Sequence, residues 1–204
     1  MAERPTEAPP NVGDRRPSRA AERIRQSARD LFYREGIRAV GVEAIVAGAG
    51  VTKPSLYRAF PSKDELAAAY LRDWDAVFWE RFEAGAALYP DDPRARLRFY
   101  LEGLAARATV DGYRGCGLTN AAVEYPEPGH PARRVAEEAK RALRRRLTEM
   151  ASAMGASRPD ALGDGLLLLI EGAFATGQIF GTGGPARALV AAADALIDTY
   201  LGEA

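Results

Sequence analysis

Apolar residues recur every three or four positions along most of the chain, which is the spacing of one face of an α-helix. Ala21, Ile24, Ala28 and Phe32 form the first such stripe, and Gly36 follows where a helix C-cap would lie. No convincing segment alternates between apolar and polar residues, and Ala, Leu, Arg and Glu dominate the composition. The pattern therefore predicts an all-α protein.

About nine helices are predicted, and capping residues mark several of their ends. Pro54 falls in the first turn of the third helix, where its missing N–H has no cost, and Ser62 is placed to cap the fourth. The predicted helices cover about residues 18–36, 42–49, 53–60, 63–82, 94–110, 119–125, 131–154, 158–181 and 185–202.

The segment from Val42 to Phe60, VEAIVAGAGVTKPSLYRAF, has the pattern of a helix-turn-helix unit. Gly50 falls at the corner, where a positive φ is needed. The predicted interior positions hold small or branched apolar residues: Ile45, Ala49, Val51, Leu56 and Ala59. An αα-hairpin with a solvated polar face would show the same corner, so the corner alone does not assign a function.

The second helix of this unit carries polar side chains that can reach phosphates or base edges, namely Thr52, Lys53, Ser55, Tyr57 and Arg58. Lys53 and Tyr57 are four residues apart and therefore share a face. Lys63 lies at the start of the next helix, where its ammonium and the free N–H groups could hold a phosphate together. These features favour DNA binding over a plain hairpin.

The charge distribution points the same way. The chain carries 28 basic and 28 acidic residues, a net charge of zero. Residues 15–63 hold 11 basic and 4 acidic residues, a net charge of +7, whereas residues 1–14 carry −2 and residues 64–204 carry −5. A basic segment joined to an acidic remainder suggests a nucleic-acid partner at one end.

Composition excludes several classes of protein. One Cys cannot form an intramolecular disulfide, and one Cys with one distant His cannot supply a Cys/His zinc site. The N-terminus lacks the apolar core of a secretory signal, so we expect a cytoplasmic protein whose Pro-rich residues 1–17 form a disordered arm. No nucleotide-binding glycine motif and no convergent catalytic groups are present, so neither an enzyme nor a cofactor is predicted.

The most apolar stretch runs from Leu162 to Phe180 but contains Asp164 and Glu171. A membrane span needs about 20 nearly charge-free residues. We therefore expect a helix buried against protein and no membrane partner.

The segments LFYREG, VEAIVAGAGVTKPSLYRAF and PSKDEL, within residues 23–71, closely resemble the DNA-binding domain of the tetracycline-repressor (TetR) family of bacterial transcription regulators. The resemblance implies a homodimer whose two recognition helices enter successive major grooves of a palindromic DNA operator. By position, it implies backbone contacts from Thr52, Lys53, Tyr57 and Lys63, and places Ser55 and Arg58 near base edges.

Two further expectations follow from the resemblance. The chain divides into a 1–17 arm, an 18–78 DNA-binding domain with its helix-turn-helix at 41–60, and a 79–204 ligand-binding and dimerisation domain. The function is that of a regulator, usually a repressor, released from its operator by a small-molecule effector. The alternative is a ligand-binding or interaction module with degenerate DNA binding, but such a chain would have lost Lys53, Tyr57 and Arg58.

The remaining candidates come from composition. An effector pocket could be lined by apolar aromatic residues and an amide, namely Trp74, Phe78, Phe82, Phe99, Phe174 and Gln178. The last two helices could pair with a second copy through Leu166, Ile170, Leu189, Leu196 and Tyr200. Ordinary core packing explains both sets as well.

Three polar or reactive residues in the C-terminal part have competing interpretations. Glu171 could orient a ligand, face a partner or face solvent. Cys116, which lies between two glycines, is expected to be a small buried residue, with a redox thiol as the alternative. His130 is expected to serve as a turn or cap residue.

Overall fold

The computed structural model describes residues 18–202, which form nine α-helices and one 3₁₀ turn and contain no strand. The all-α prediction is confirmed, while the predicted arm at 1–17 lies outside the described residues. The helices are α1 (Arg19–Glu35), α2 (Val42–Ala49), α3 (Lys53–Ala59), α4 (Lys63–Glu83), α5 (Pro93–Arg107), α6 (Gly117–Glu124), α7 (Pro131–Ala153), α8 (Pro159–Phe180) and α9 (Leu189–Leu201); the 3₁₀ turn is Pro185–Ala188.

Helix α1 begins and ends where its sequence predicts. The Ser18 hydroxyl accepts a hydrogen bond from the N–H of Ala21 at 3.2 Å, which satisfies one of the free donors of the first turn. Ile24 and Phe32 are buried on its inner face. Gly36 closes the helix with a φ of 90°, a conformation that favours glycine.

The corner between α2 and α3 depends on Gly50. This residue is left-handed, with φ 60° and ψ 42°, and its N–H donates to the carbonyl of Ala47 at 3.1 Å. The turn brings Ile45 and Leu56, both fully buried, into the core beneath the corner. Val51, predicted to be interior, is only partly buried at the edge of this core.

Helix α4 runs from the helix-turn-helix unit into the body of the protein. Ser62 caps it by accepting from the N–H of Glu65 at 3.1 Å. Its first half buries Leu66 to Leu71, and its second half buries Phe78 and Phe82. The predicted domain division at 78 and 79 falls within this helix, whose buried residues belong to one continuous core.

Three helix ends differ from the sequence-based positions. Helix α5 ends at Arg107 rather than at 110, because the chain turns through Gly112 and Gly115, which have φ values of 76° and 70°. Helix α6 begins at Gly117, two residues early, and no capping side chain marks its start. The predicted 185–202 helix opens with the 3₁₀ turn before α9 begins.

Helices α7 and α8 lie against each other closely enough to require small residues. A Cβ atom on Gly163 would lie 2.9 Å from the backbone nitrogen of Thr148 and 3.0 Å from its Cα. Helix α8 is the one described helix long and apolar enough to cross a membrane by length and composition alone. A single such helix is weak support for a membrane span, because core helices have the same composition.

We expect Gly163→Ala to destabilise the protein by about 1–3 kcal/mol, because the added methyl group would meet backbone rather than a movable side chain. The free energy of unfolding in urea measures this effect. Gly129→Ala is the control: no atom lies within 4 Å of the added Cβ. We expect the control to change stability by less than about 0.5 kcal/mol. Equal stability of the two variants would show that α7 and α8 can separate at no cost.

Candidate functional site

The outward face of α3 is polar and open to solvent. Thr52, Lys53, Tyr57 and Arg58 are exposed, and Ser55 is half-buried. The Tyr57 side chain is 48% exposed although most large apolar or aromatic residues of the unit are buried. Helix α3 therefore presents the predicted DNA-contact residues together on one surface, with an aromatic ring among hydroxyl and cationic groups.

Hydrogen bonds already order part of this face. The hydroxyl oxygens of Thr52 and Ser55 are 3.1 Å apart, and Nη2 of Arg58 donates to the Ser55 hydroxyl at 3.1 Å. Lys53 forms an ion pair with Glu43 of α2. Hydrogen bonding to Lys53 lowers the pKa of Glu43, and the same bond raises the pKa of Lys53, so both groups remain charged at neutral pH.

Lys63 extends this surface at the start of α4. Its Nζ donates to the carbonyl of Arg38, in the loop between α1 and α2, at 3.2 Å. Partial burial lowers the pKa of Lys63, and the nearby carboxylates of Asp64 and Glu124 oppose that shift. The lysine is therefore held beside the helix-turn-helix unit rather than extended into solvent.

A cavity of about 590 Å³ lies beside α1 and α4, and no residue of α2 or α3 is part of its wall. Its wall is formed by side chains from α1, α4, α5 and α8 and from the 110–115 loop. Tyr33 and Trp74 stack within this wall, with ring centroids 5.1 Å apart. Cavities of this volume with an aromatic lining are typical of small-molecule sites.

Several polar groups are part of the same wall. The Tyr70 hydroxyl is buried and has no hydrogen-bond partner among the described residues. Burial raises the pKa of Tyr70, Tyr100 and Tyr113 well above the ordinary value for tyrosine, so all three phenols stay protonated at neutral pH. Each phenol is therefore a hydrogen-bond donor as well as an acceptor. Within residues 18–202, no cluster of three or more His, Cys, Asp or Glu residues could hold a metal ion.

The end of α6 is tied to the loop that positions Lys63. The Glu124 carboxylate accepts from the backbone N–H of Arg38 at 2.7 Å. The Arg38 guanidinium in turn donates to the carbonyl of Glu124 at 3.0 Å. At the other end of α6, a Cβ on Gly117 would lie 2.9 Å from the Tyr70 hydroxyl and 3.2 Å from the Trp74 ring. Helix α6 therefore contacts both the cavity wall and the helix-turn-helix unit.

Comparison with known proteins assigns this arrangement. Residues 24–70 match the family of bacterial regulatory proteins called the tetR family. A solved TetR-type transcriptional regulator from Streptomyces avermitilis is 35% identical, with a TM-score of 0.74 over 87% of this chain and 97% of that one. This chain belongs to the TetR family. Members of this family are DNA-binding transcription regulators and not enzymes.

Two further solved structures share the TetR fold over nearly the whole chain. A TetR-family transcriptional regulator from Streptomyces coelicolor is 29% identical, with a TM-score of 0.83 over 90% of this chain and 97% of that one. A TetR transcriptional regulator from Chloroflexus aurantiacus is 26% identical, with a TM-score of 0.72 over 90% and 94% of the two chains. No match was found among the curated proteins.

Half of the predicted pocket residues line the TetR-family cavity described above. Trp74, Phe78 and Phe174 are in its wall, and Phe82, Phe99 and Gln178 are not. Phe82 lies behind the wall, packed on Tyr100 with ring centroids 4.8 Å apart. Phe99 of α5 is 38% exposed and is not part of the wall, whereas its neighbour Tyr100 is buried and lines the cavity. Gln178 is exposed beside Gly115.

The predicted dimer residues divide in a similar way. Leu166, Ile170 and Leu189 are buried inside the chain itself and cannot reach a partner as the chain stands. Leu196 and Tyr200 are partly buried. Leu166 and Ile170 lie on the core side of α8, and the sequence did not distinguish this side from the outward one because the helix is apolar on both sides. Its outward face carries Leu168, Gly172, Ala175 and Ile179.

A partly buried polar cluster between α6, α7 and α8 was missed by the sequence interpretation. The Nζ of Lys140 lies 2.5 Å from the Glu171 carboxylate and 3.3 Å from the Cys116 sulfur. Burial lowers the pKa of Lys140, but Cys116 and Glu171 outweigh it, so the pKa lies above the ordinary value. The signal was present in the sequence: Lys140 follows Ala136 by four residues and precedes Leu143 by three, which places it on the buried face of α7.

Glu171 is partly buried and pairs with Lys140, and it also accepts a hydrogen bond from the hydroxyl of Thr119 at 2.7 Å. Cys116 is buried as expected, being 1% exposed. His130 caps α7 as expected: its Nδ1 accepts from the N–H of Ala132 at 3.2 Å.

We expect Glu124→Ala to lower the melting temperature by about 2–4 °C, which corresponds to about 1 kcal/mol, because it removes the acceptor of the Arg38 N–H. Thermal unfolding followed by circular dichroism measures the change. Glu127→Ala is the control, since the Glu127 side chain makes no hydrogen bond or ion pair within residues 18–202 and is exposed. An unchanged melting temperature for Glu124→Ala would mean that the α6 contact contributes nothing to stability.

Proposed function

We propose that this protein is a cytoplasmic, homodimeric repressor that a small-molecule effector releases from a palindromic DNA operator. The observation that carries the proposal is the cavity between α1 and α4. Arg29 and Tyr33 of α1, the helix that packs on α2 and α3, form part of its wall together with Trp74 and Phe78 of α4. A molecule bound there touches the DNA-binding unit and the body at once, so its binding is coupled to their relative position.

The exposed face of α3 supports docking in the major groove. Thr52, Lys53, Tyr57 and Lys63 would contact the DNA backbone, and Ser55 and Arg58 would lie near base edges. The hydrogen bond between Arg58 and Ser55 fixes the two base-edge candidates relative to each other. Lys53 would exchange its exposed Glu43 partner for a phosphate, an exchange that costs little because solvent screens ion pairs at the surface.

Two copies of this face are needed for a palindrome. The half-sites of such an operator lie one helical turn apart, about 34 Å. Within this arrangement we assign residues 18–78 to DNA binding, with the helix-turn-helix at 41–60, and residues 79–204 to effector binding and dimerisation. The net charge of −5 on residues 64–204 would keep the body away from phosphate and so orient the approach.

The outward face of α8 supports the dimer. Leu168 is 72% exposed and Ile179 is 73% exposed, and the small residues Gly172 and Ala175 lie between them on the same side of the helix. Helix α9 packs on α8 and carries exposed small residues, including Ala192 and Ala195. Two such helix pairs from two copies would form a four-helix interface in which small residues allow close approach.

The buried Tyr70 hydroxyl supports effector binding. A buried hydroxyl without a partner costs about 1–3 kcal/mol, and a polar atom of a bound molecule would remove that cost. The position of Tyr70 on α4, against Phe32 of α1 at a centroid distance of 5.6 Å, couples such a molecule to the packing between the two helices. A shift of α4 would then move the two recognition helices away from the half-site spacing.

We expect Lys63→Ala to weaken binding to specific and nonspecific DNA alike and to reduce the slope of log K against log salt by about 0.9 for each copy, because one phosphate contact is lost. An operator is first selected from a random duplex pool, and binding is then measured by fluorescence anisotropy over a salt series. Tyr57→Ala should also weaken both kinds of binding.

The control for these variants is Arg187→Ala, which removes the same charge from the exposed 3₁₀ turn outside the DNA-binding unit. Its affinity and salt slope should match those of the unchanged protein. Unchanged affinity and slope in both Lys63→Ala and Tyr57→Ala would exclude the proposed docking. Recovery of no palindromic site would favour a module with degenerate DNA binding.

We expect Leu168→Glu to convert the dimer to a monomer, because it places a charge in the centre of the proposed apolar interface. Sedimentation equilibrium should give a mass near 22.0 kDa for the variant and twice that mass for the unchanged protein. Val123→Glu is the control, since Val123 is 78% exposed on α6 and lies outside the proposed interface. A dimeric Leu168→Glu protein would place the interface elsewhere.

A further inference from the structure

Two arginine side chains in the cavity wall lack a carboxylate partner among the described residues. Arg81 comes from α4 and Arg107 from the end of α5, and neither forms an ion pair within residues 18–202. Arg81 is exposed, whereas Arg107 is half-buried. Arg29, the third arginine of the wall, differs because Asp73 lies 3.7 Å from it.

The half-buried Arg107 is the unusual group. Burial lowers its pKa, Tyr100 opposes that shift, and the nearby positive charge of Arg81 adds to it. A guanidinium nevertheless stays protonated in proteins, so the charge is retained without a counterion. Charged groups removed from water are normally paired, and the anion that would pair with this one is not supplied by residues 18–202.

The surroundings of Arg107 fit an organic anion. Tyr100 and Tyr113 line the same cavity as Arg107, so this part of the wall combines a guanidinium with two phenol groups. The rest of the wall offers the aromatic faces of Trp74 and Phe174 to an apolar body. Planar guanidinium groups bind carboxylates through two parallel hydrogen bonds, which favours a carboxylate.

The acidic residues of the wall do not support a cationic ligand. Asp73 is already engaged by Arg25 at 3.3 Å and by Arg29 at 3.7 Å. Asp111 is exposed on the 110–115 loop, where water solvates it. Among the charged side chains of the cavity wall, the half-buried one without an ion-pair partner within residues 18–202 is therefore a cation, Arg107.

We infer that the cavity binds an amphipathic organic carboxylate, with its apolar body among the aromatic side chains and its carboxylate on Arg107 and Arg81. This inference rests on the proposed function only in taking the cavity as the effector site. A volume of about 590 Å³ accommodates a ligand of one or more fused rings with a short acidic arm.

Three probes of nearly equal shape test the charge preference: 1-naphthylacetate, the neutral 1-naphthylacetamide and the cationic 2-(1-naphthyl)ethylamine. Their affinities for the full chain are measured by isothermal titration calorimetry. We expect the carboxylate to bind at least about tenfold more tightly than the amide and the amine to bind most weakly, because a hydrogen-bonded charge pair is lost in both.

Arg107→Gln should remove the preference for the carboxylate over the amide, and Arg107→Lys should retain part of it. Arg72→Gln is the matched control, since Arg72 is an exposed arginine of α4 outside the cavity wall, and it should retain the full preference. Thermal unfolding of each variant shows whether it is folded, and the lysine variant supplies the test if the glutamine variant is not.

Equal affinity for carboxylate and amide, tighter binding of the amine, no binding of any probe, or a preference that survives in both Arg107 variants would each overturn the inference. A carboxylate preference that depends on Arg107, together with operator binding that does not respond to the probe, would leave the inference standing and count against effector release. The two proposals therefore fail in different measurements.

Discussion

The packing of α1 against α4 is the contact on which the remaining features depend. Phe32 meets Tyr70 edge-on with ring centroids 5.6 Å apart, and Tyr33 stacks on Trp74 at 5.1 Å. The Phe32–Tyr70 pair is part of the core between α1 and α4, and the Tyr33–Trp74 pair forms part of the cavity wall. One helix–helix contact thus determines where the recognition helix sits and how the cavity is shaped. The position of the recognition helix and the shape of the cavity therefore cannot change independently, because close-packed interiors transmit displacement.

Charge is distributed to serve different purposes in the two parts of the protein. In the helix-turn-helix unit the cations are exposed and weakly paired, as with Lys53 and Glu43, and can exchange their partners for phosphate. In the body, Lys140 and Glu171 are partly buried and mutually satisfied. The chain has zero net charge because the positive charge of residues 15–63 is cancelled mainly by the negative charge of residues 64–204.

The sequence predicted the local structure of the DNA-binding unit well because each of its requirements is local. Gly50 adopts the positive φ that the corner requires, and Ser62 accepts a hydrogen bond from a free N–H group at the start of α4. The 3.6-residue period places Ile45 and Leu56 in the core. The start of α6 at Gly117 carried no such signal, because no side chain caps it.

The body could be predicted only in part, because its features depend on contacts between distant segments. Helix α8 is apolar on both sides, so periodicity identifies a buried helix but not which side faces the core. The buried side is Leu166 and Ile170, and the outward side is Leu168 and Ile179. Aromatic residues indicated a cavity, but whether Phe82 lines it or lies behind it depends on the placement of Tyr100 from another helix.

Arg38 links the loop before α2 to both α4 and α6. Its backbone N–H and guanidinium bind Glu124 at the end of α6, and its carbonyl accepts from Lys63 at the start of α4. The far end of α6 rests on Tyr70 and Trp74 through Gly117, where there is no room for a side chain. A ligand that displaces these rings must therefore move α6 or strain this contact. Because α6 is only eight residues long, a displacement at Gly117 reaches Glu124 within about 12 Å of helix. In the proposed mechanism, Lys63 would change its position through the hydrogen bonds that join Glu124, Arg38 and Lys63.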